Sequence, residues 1–84
     1  MKKIKHWKEM KVGNYYRVNW YDGMFLYERL IKMDKKNNRL HYIVIKSDME
    51  IFKPGNKEWD HMDKINIKYN LYELTKDEMM VEEL

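Results

Sequence analysis

Few side chains in this sequence can act as nucleophiles. Ser47 is the one serine, Thr75 the one threonine, and there is no cysteine. A serine triad would have to bring His41 or His61 and an aspartate to Ser47, and nothing in the spacing does so. Gly13, Gly23 and Gly55 are scattered at turn signals and do not form a phosphate cradle. The densest set of metal-type ligands is Glu58, Asp60, His61 and Asp63. It lacks a second histidine and the fixed carboxylate spacing of a calcium loop, so it reads as a solvated acidic loop around a buried Trp59. His6 beside Trp7, and His41 on a face with Ile43 and Ile45, read as surface or packing residues. The expectation is a protein without catalytic residues, metal or cofactor.

Binding is then the chemistry left, and two ligand classes compete. Eight methionines are many for 84 residues. Met79, Met80 and Val81 in an acidic tail, with Met24 and Leu26 on one face of a strand, predict an adaptable apolar surface for a partner protein. The alternative is nucleic acid. Lys8, Lys11, Arg17, Lys35, Lys36 and Arg39 could neutralise phosphates while Tyr15 and Tyr21 offer stacking faces. Charge is distributed to suit it: residues 1 to 46 carry a net +8 and residues 47 to 84 a net −5. The same asymmetry also lets the two halves pair with each other inside one domain.

These residues must be held by a small core. At 10.6 kDa and 37% charged residues, the chain supports one domain over residues 1–84. Without cysteine the core depends on packing, and three Trp, seven Tyr and two Phe supply it. No apolar run approaches the roughly 18 residues that a helical membrane span needs. Charges interrupt any signal-like segment near the N-terminus, so a cytoplasmic protein is expected.

Residues 1–6 read as a frayed basic arm, and across Met1 to Lys11 the spacing of three between Ile4, Trp7 and Met10 fits a short helical turn or an extended arm, with Trp7 buried either way. Tyr16, Val18 and Trp20 alternate with Tyr15, Arg17 and Asn19, which predicts a strand. Asp22-Gly23 then predicts a type I′ hairpin. Met24 to Met33 reads as a long bent strand, and Asp34 to Arg39 as a turn in which an asparagine takes a left-handed backbone. Leu40 to Ser47 is the most strand-like stretch. Met49 to Lys53 reads as a short strand, and Lys57 to Lys64 as a loop or helical turn with Trp59 and Met62 inward. Ile65 to Leu74 is again a strand. Thr75-Lys76-Asp77-Glu78 has the form of a capping box, opening a short acidic helical tail over 76–84.

The run Lys11-Val12-Gly13-Asn14-Tyr15-Tyr16-Arg17-Val18, a long hairpin, short strands and a final Tyr72-Glu73-Leu74 resemble small SH3-like barrels of the Tudor kind over about residues 10–74. The resemblance implies a mainly β, five-stranded antiparallel barrel or curled sheet that binds peptides or nucleic acid through aromatic residues near its loop tips. The long 48–64 connection and the acidic tail depart from that pattern, and no individual residue carries over. An OB-like barrel or an open sheet with one helix fits the same elements. The expectation taken forward is a non-catalytic binding module of the kind phages and mobile elements use to inhibit or adapt a host protein. A nucleic-acid-binding barrel is its alternative, membrane contact is not expected, and self-association into a homodimer is left open.

Overall fold

The computed structural model describes residues 1–20, 22–65 and 70–83, with the backbone alone for Glu82 and Glu83. Six strands form one antiparallel sheet: β1 (Lys2–Lys3), β2 (Tyr15–Asn19), β3 (Phe25–Asp34), β4 (Arg39–Ser47), β5 (Lys57–His61) and β6 (Asn70–Leu74). Their order is β1-β6-β2-β3-β4-β5, so β1 and β5 are free edges and the sheet does not close. The mainly β architecture with a C-terminal helix is as the sequence predicts. Of the expected alternatives the open sheet holds and the barrel does not, and the strands number six where five were expected. The sixth strand is Lys2–Lys3, which pairs with Tyr72 and Glu73 where a frayed arm was expected. Ile4 anchors it, buried and donating its N–H to the Leu71 carbonyl at 2.8 Å.

The hairpin between β2 and β3 forms, but not as a type I′ turn. Trp20 donates to the Met24 carbonyl at 2.8 Å and Gly23 to the Trp20 carbonyl at 3.1 Å. This is a three-residue loop in which Gly23 takes a φ of +82°, a conformation that glycine enters without Cβ strain. Tyr21, inside this loop, lies outside the described residues. In the β3–β4 turn Asn38 takes the left-handed backbone (φ 57°), as its type predicts.

The register of β3 against β4 shifts twice. Ile45 is the extra residue on β4 at the first shift and Ile31 the extra residue on β3 at the second, so the two offsets cancel. Each bulge bends the strands, and the alternation of faces is restored beyond the second.

Two expected segments exchange roles. Residues 48–56 form a loop where Met49 to Lys53 was expected to be a strand. The Ser47 hydroxyl accepts the Met49 N–H at 3.0 Å and Asp48 accepts the Phe25 N–H at 2.8 Å, so these side chains take over bonds that a ladder would supply. The strand is β5, where a loop was expected, followed by a 3-10 turn at Met62–Lys64. Ile65 is helical (φ −56°, ψ −35°), so the last strand is described from Asn70 onward. Residues 66–69 of its expected span lie outside the described residues.

Both sheet faces carry apolar clusters. On the inner face Tyr16, Leu30, Leu40, Tyr42 and Leu71 centre the main core, closed by Ile4, Met10, Met62 and Ile65. Trp7, expected to be buried, is half-buried at its edge. On the outer face Tyr27, Leu74 and Met79 form a second cluster beneath helix α1 (Lys76–Glu83). The capping box is complete: Thr75 donates its N–H to Glu78 Oε1 at 3.0 Å, and Glu78 returns its N–H to the Thr75 hydroxyl at 3.1 Å. Eight residues make a marginal helix alone, so docking through Met79 stabilises it.

A buried hydroxyl ties the N-terminal segment to this frame. Tyr16 accepts the Lys11 N–H at 2.8 Å and donates to Glu73 Oε1 at 3.2 Å, while Asn14 donates to the same oxygen at 2.8 Å. Burial, with the nearby Glu73 charge, pushes the Tyr16 hydroxyl up to about 12. Tyr16→Phe leaves the Lys11 N–H without its acceptor and removes one of two donors to Glu73 Oε1, and should cost about 1–3 kcal/mol. A thermal melt should then fall by about 4–8 °C per kcal/mol, and an unchanged melt would remove this hydroxyl from the account.

Candidate functional site

The outer face of β3, β4 and β5, beyond the reach of α1, collects cations and aromatic rings. Its rows follow from the register. Arg29, Ile43 and Lys57 stand side by side, as do Lys32, His41 and Trp59, and then Asp34, Arg39 and His61. Arg29, Lys32, Arg39 and Lys57 are exposed, and His41, Ile43 and His61 are half-buried. Trp59 is 47% exposed, which corrects its expected place inside. It sits on an edge strand one residue out of phase with the core, so its ring lies on the sheet's outside.

The Arg39 guanidinium lies 4.2 Å from the Trp59 ring centroid, and His61 meets the same indole edge-on at 5.2 Å. Four residues before Arg39, Lys35 leads the β3–β4 turn. Its ammonium is 6.0 Å from the Trp7 ring, and that of Lys8 is 5.9 Å from it. Lys36 is exposed in the same turn. Asp34 is the one carboxylate in the three rows among the described residues. Asn37 donates to it from its side chain at 2.8 Å and its backbone at 3.2 Å, and the side-chain bond is the main cause that holds the Asp34 carboxyl below its ordinary value.

The residues expected to bind nucleic acid therefore divide. Lys8, Lys35, Lys36 and Arg39 gather around the β3–β4 turn. Lys11 is exposed, but its backbone is held by Tyr16. Arg17 is committed to the fold: it donates to Asn19 Oδ1 at 2.7 Å and to the Tyr27 hydroxyl at 2.6 Å, and stacks on Phe25 and Tyr27. Tyr15 is half-buried under Arg29, packed against the second cluster. Tyr21 lies outside the described residues.

The surface expected to meet a protein is also revised. Leu26 is 5% exposed in the main core and Met79 1% exposed beneath α1. Leu26 shares the inner phase of β3, and Met79 is the residue that docks the helix, so neither is on offer to a partner. Met24, Met80 and Val81 remain exposed. The sequence alone joins Lys32 to Lys35, Lys36 and Arg39 as a basic stripe, but a loop or helical turn over 57–64 leaves Trp59, Lys57 and Arg29 outside it. Alternation of Lys57, Trp59 and His61 against Glu58 and Asp60 was the available signal.

That alternation turns the acidic residues inward. Glu58 and Asp60 face Tyr42 and Leu40 across the ladder, and Glu28 joins them from β3, 3% exposed. Burial, and then the charge of Asp60, hold the Glu28 carboxyl well above its ordinary value. No group of three or more metal-type ligands is present among the described residues. No family model, curated protein or solved structure matches this chain.

Because the folded state raises the Glu28 value, it keeps a proton that the unfolded chain has already lost. Its contribution to stability is full below the unfolded value and declines as pH rises toward the folded one. Glu28→Gln should raise the melting temperature at neutral pH and flatten its decline from acidic to neutral pH. A Glu28→Gln protein less stable than the parent at neutral pH would contradict a carboxyl held against its charge.

Proposed function

We propose that this protein is a non-catalytic module that binds single-stranded nucleic acid on the outer face of β3–β5. The observation that carries the reading is the exposed Trp59 stacked by Arg39 at 4.2 Å amid Lys32, Lys57 and Arg29. Bases stack on aromatic rings and on guanidinium planes alike, and the surrounding ammonium groups neutralise phosphates. An open three-strand surface can take splayed single-strand bases. The β3–β4 turn, with Lys35 and Lys36, extends the cationic track toward Trp7 and Lys8.

Protein contact remains a second reading, supported by the exposure of Met24, Met80 and Val81. It has lost Leu26 and Met79, two of the five residues on which it was expected to rest. The role of inhibiting or adapting a host protein belongs to that reading, and Met80→Asp with Val81→Asp separates the two.

Fluorescence anisotropy with a labelled oligonucleotide tests the proposal. The logarithm of the affinity should fall with the logarithm of salt at about −0.7 per neutralised phosphate. Trp59→Ala should cost about 1–3 kcal/mol, the worth of one stacked base. Lys35→Glu with Lys36→Glu should weaken binding and reduce the salt slope, while Met80→Asp with Val81→Asp should leave it unchanged. A flat salt response, or a Trp59→Ala protein that binds like the parent, would overturn the proposal.

A further inference from the structure

The inner face holds a cavity of about 220 Å³, the room of about seven waters at roughly 30 Å³ each. Glu28 lines it from β3, Glu58, Trp59 and Asp60 line it from β5, and Trp20, Tyr42 and Phe52 complete its aromatic walls. Every other residue that lines it is apolar or aromatic, so all of its charged groups are carboxylates among the described residues. A purely structural acidic cluster would bring a lysine or arginine to its carboxylates, as buried charges need a partner. Here the alternation of β4 and β5 sends their own cations, Arg39, Lys46 and Lys57, to the opposite face.

Glu28 sharpens the argument. It is 97% buried by its 3% exposure, it lines the cavity, and no hydrogen bond or ion pair reaches it among the described residues. Among the described residues Asp60 accepts one hydrogen bond, from the N–H of His61 at 2.7 Å, which leaves acceptor capacity on its carboxylate. A buried carboxyl with an unfilled acceptor, a second and a third carboxylate beside it, and aromatic walls make one demand together. They call for a guest that donates several N–H bonds, carries positive charge and has a short apolar body.

We infer that this cavity binds a primary alkylammonium ion, its N–H groups on Glu28 and Asp60 and its alkyl chain against Trp20 and Phe52. A bound cation offsets both causes that disfavour the charged form of Glu28, since it replaces the lost solvation and neutralises Asp60. The rings add cation–π attraction to the same guest. A quaternary ammonium matches the rings but has no N–H to give the carboxylates, and a neutral alcohol matches the volume but not the charge.

The test is a titration of the protein with n-butylammonium, followed by the ¹H–¹⁵N signal of the Trp20 indole. Saturable binding at millimolar concentration is expected, at least about tenfold weaker for Glu28→Gln because one charge-assisted bond is lost. Tetramethylammonium and n-butanol should bind more weakly than n-butylammonium. Glu28→Gln should remain folded, since the amide replaces a carboxyl that the folded state already holds uncharged, so its loss of binding is not a loss of structure. A lysine-containing peptide run alongside distinguishes the source: the free amine binds more tightly if the ligand is a small molecule, the peptide if it is a protein side chain. No saturable shift with either amine, equal binding of n-butanol, or a Glu28→Gln protein that binds like the parent would overturn the inference. The oligonucleotide proposal stands or falls separately through Lys35→Glu with Lys36→Glu, since neither lysine lines the cavity whereas Trp59 does.

Discussion

An extended strand turns successive side chains to opposite faces, and across β3, β4 and β5 that alternation separates the protein's charges by sign. Trp59 and Lys57 point out because Glu58 and Asp60 point in, and the partners of Asp60 and Glu58 on β4, Leu40 and Tyr42, are buried. A slip of one residue would carry the carboxylates outward and the indole into the core. The paired bulges at Ile31 and Ile45 therefore matter beyond their local bend. Either alone would leave the β3–β4 hairpin one residue out of step, whereas together they restore the register that the β3–β4 turn and β5 both inherit.

The remaining elements protect that arrangement. Helix α1 covers the part of the outer face where Tyr27 and Leu74 would otherwise meet water, and leaves the β3–β5 part open. Its docking residue Met79 is buried, while Met80 and Val81 face outward. The N-terminal segment closes the inner face through Ile4 and Met10, and Tyr16 holds it there through the Lys11 backbone. Arg17, stacked on Phe25 and bonded to Tyr27, is cationic but structural. A basic residue count therefore overstates the surface that can meet a polyanion.

Much of the framework was legible in the residues. The strands around Tyr16, Phe25 and Ile43 follow from alternation and β-branching, Asn38 from its tolerance of a left-handed backbone, and α1 from Thr75 and Glu78. The misread segments share a physical cause. At Ser47 and Asp48, short polar side chains satisfy backbone groups and release the chain from the ladder, so Met49 and Phe52 pack as loop residues despite strand-like types. At Lys57 to His61 the flanking Pro54-Gly55 and the dense charge suggested a loop, yet an edge strand tolerates charge on both faces. Misplacing β5 hid both the outer ledge and the inner cavity, since each needs its alternation. The depth of Glu28 was equally hidden: a lone glutamate in a two-faced apolar strand carries no mark of which face it takes.

Across β3–β5 one sheet segment turns Trp59 and its cations outward and Glu28, Glu58 and Asp60 inward, and the outer face is the proposed surface for a single strand. Chemical-shift mapping of the ¹⁵N-labelled protein against a short single-stranded oligonucleotide measures this most directly. The predicted result is saturable shifts at the Trp59 indole and at the amides of Arg39, His41 and His61, with Val81 on α1 unmoved. Shifts centred on Met80 and Val81, or none that saturate, would contradict it.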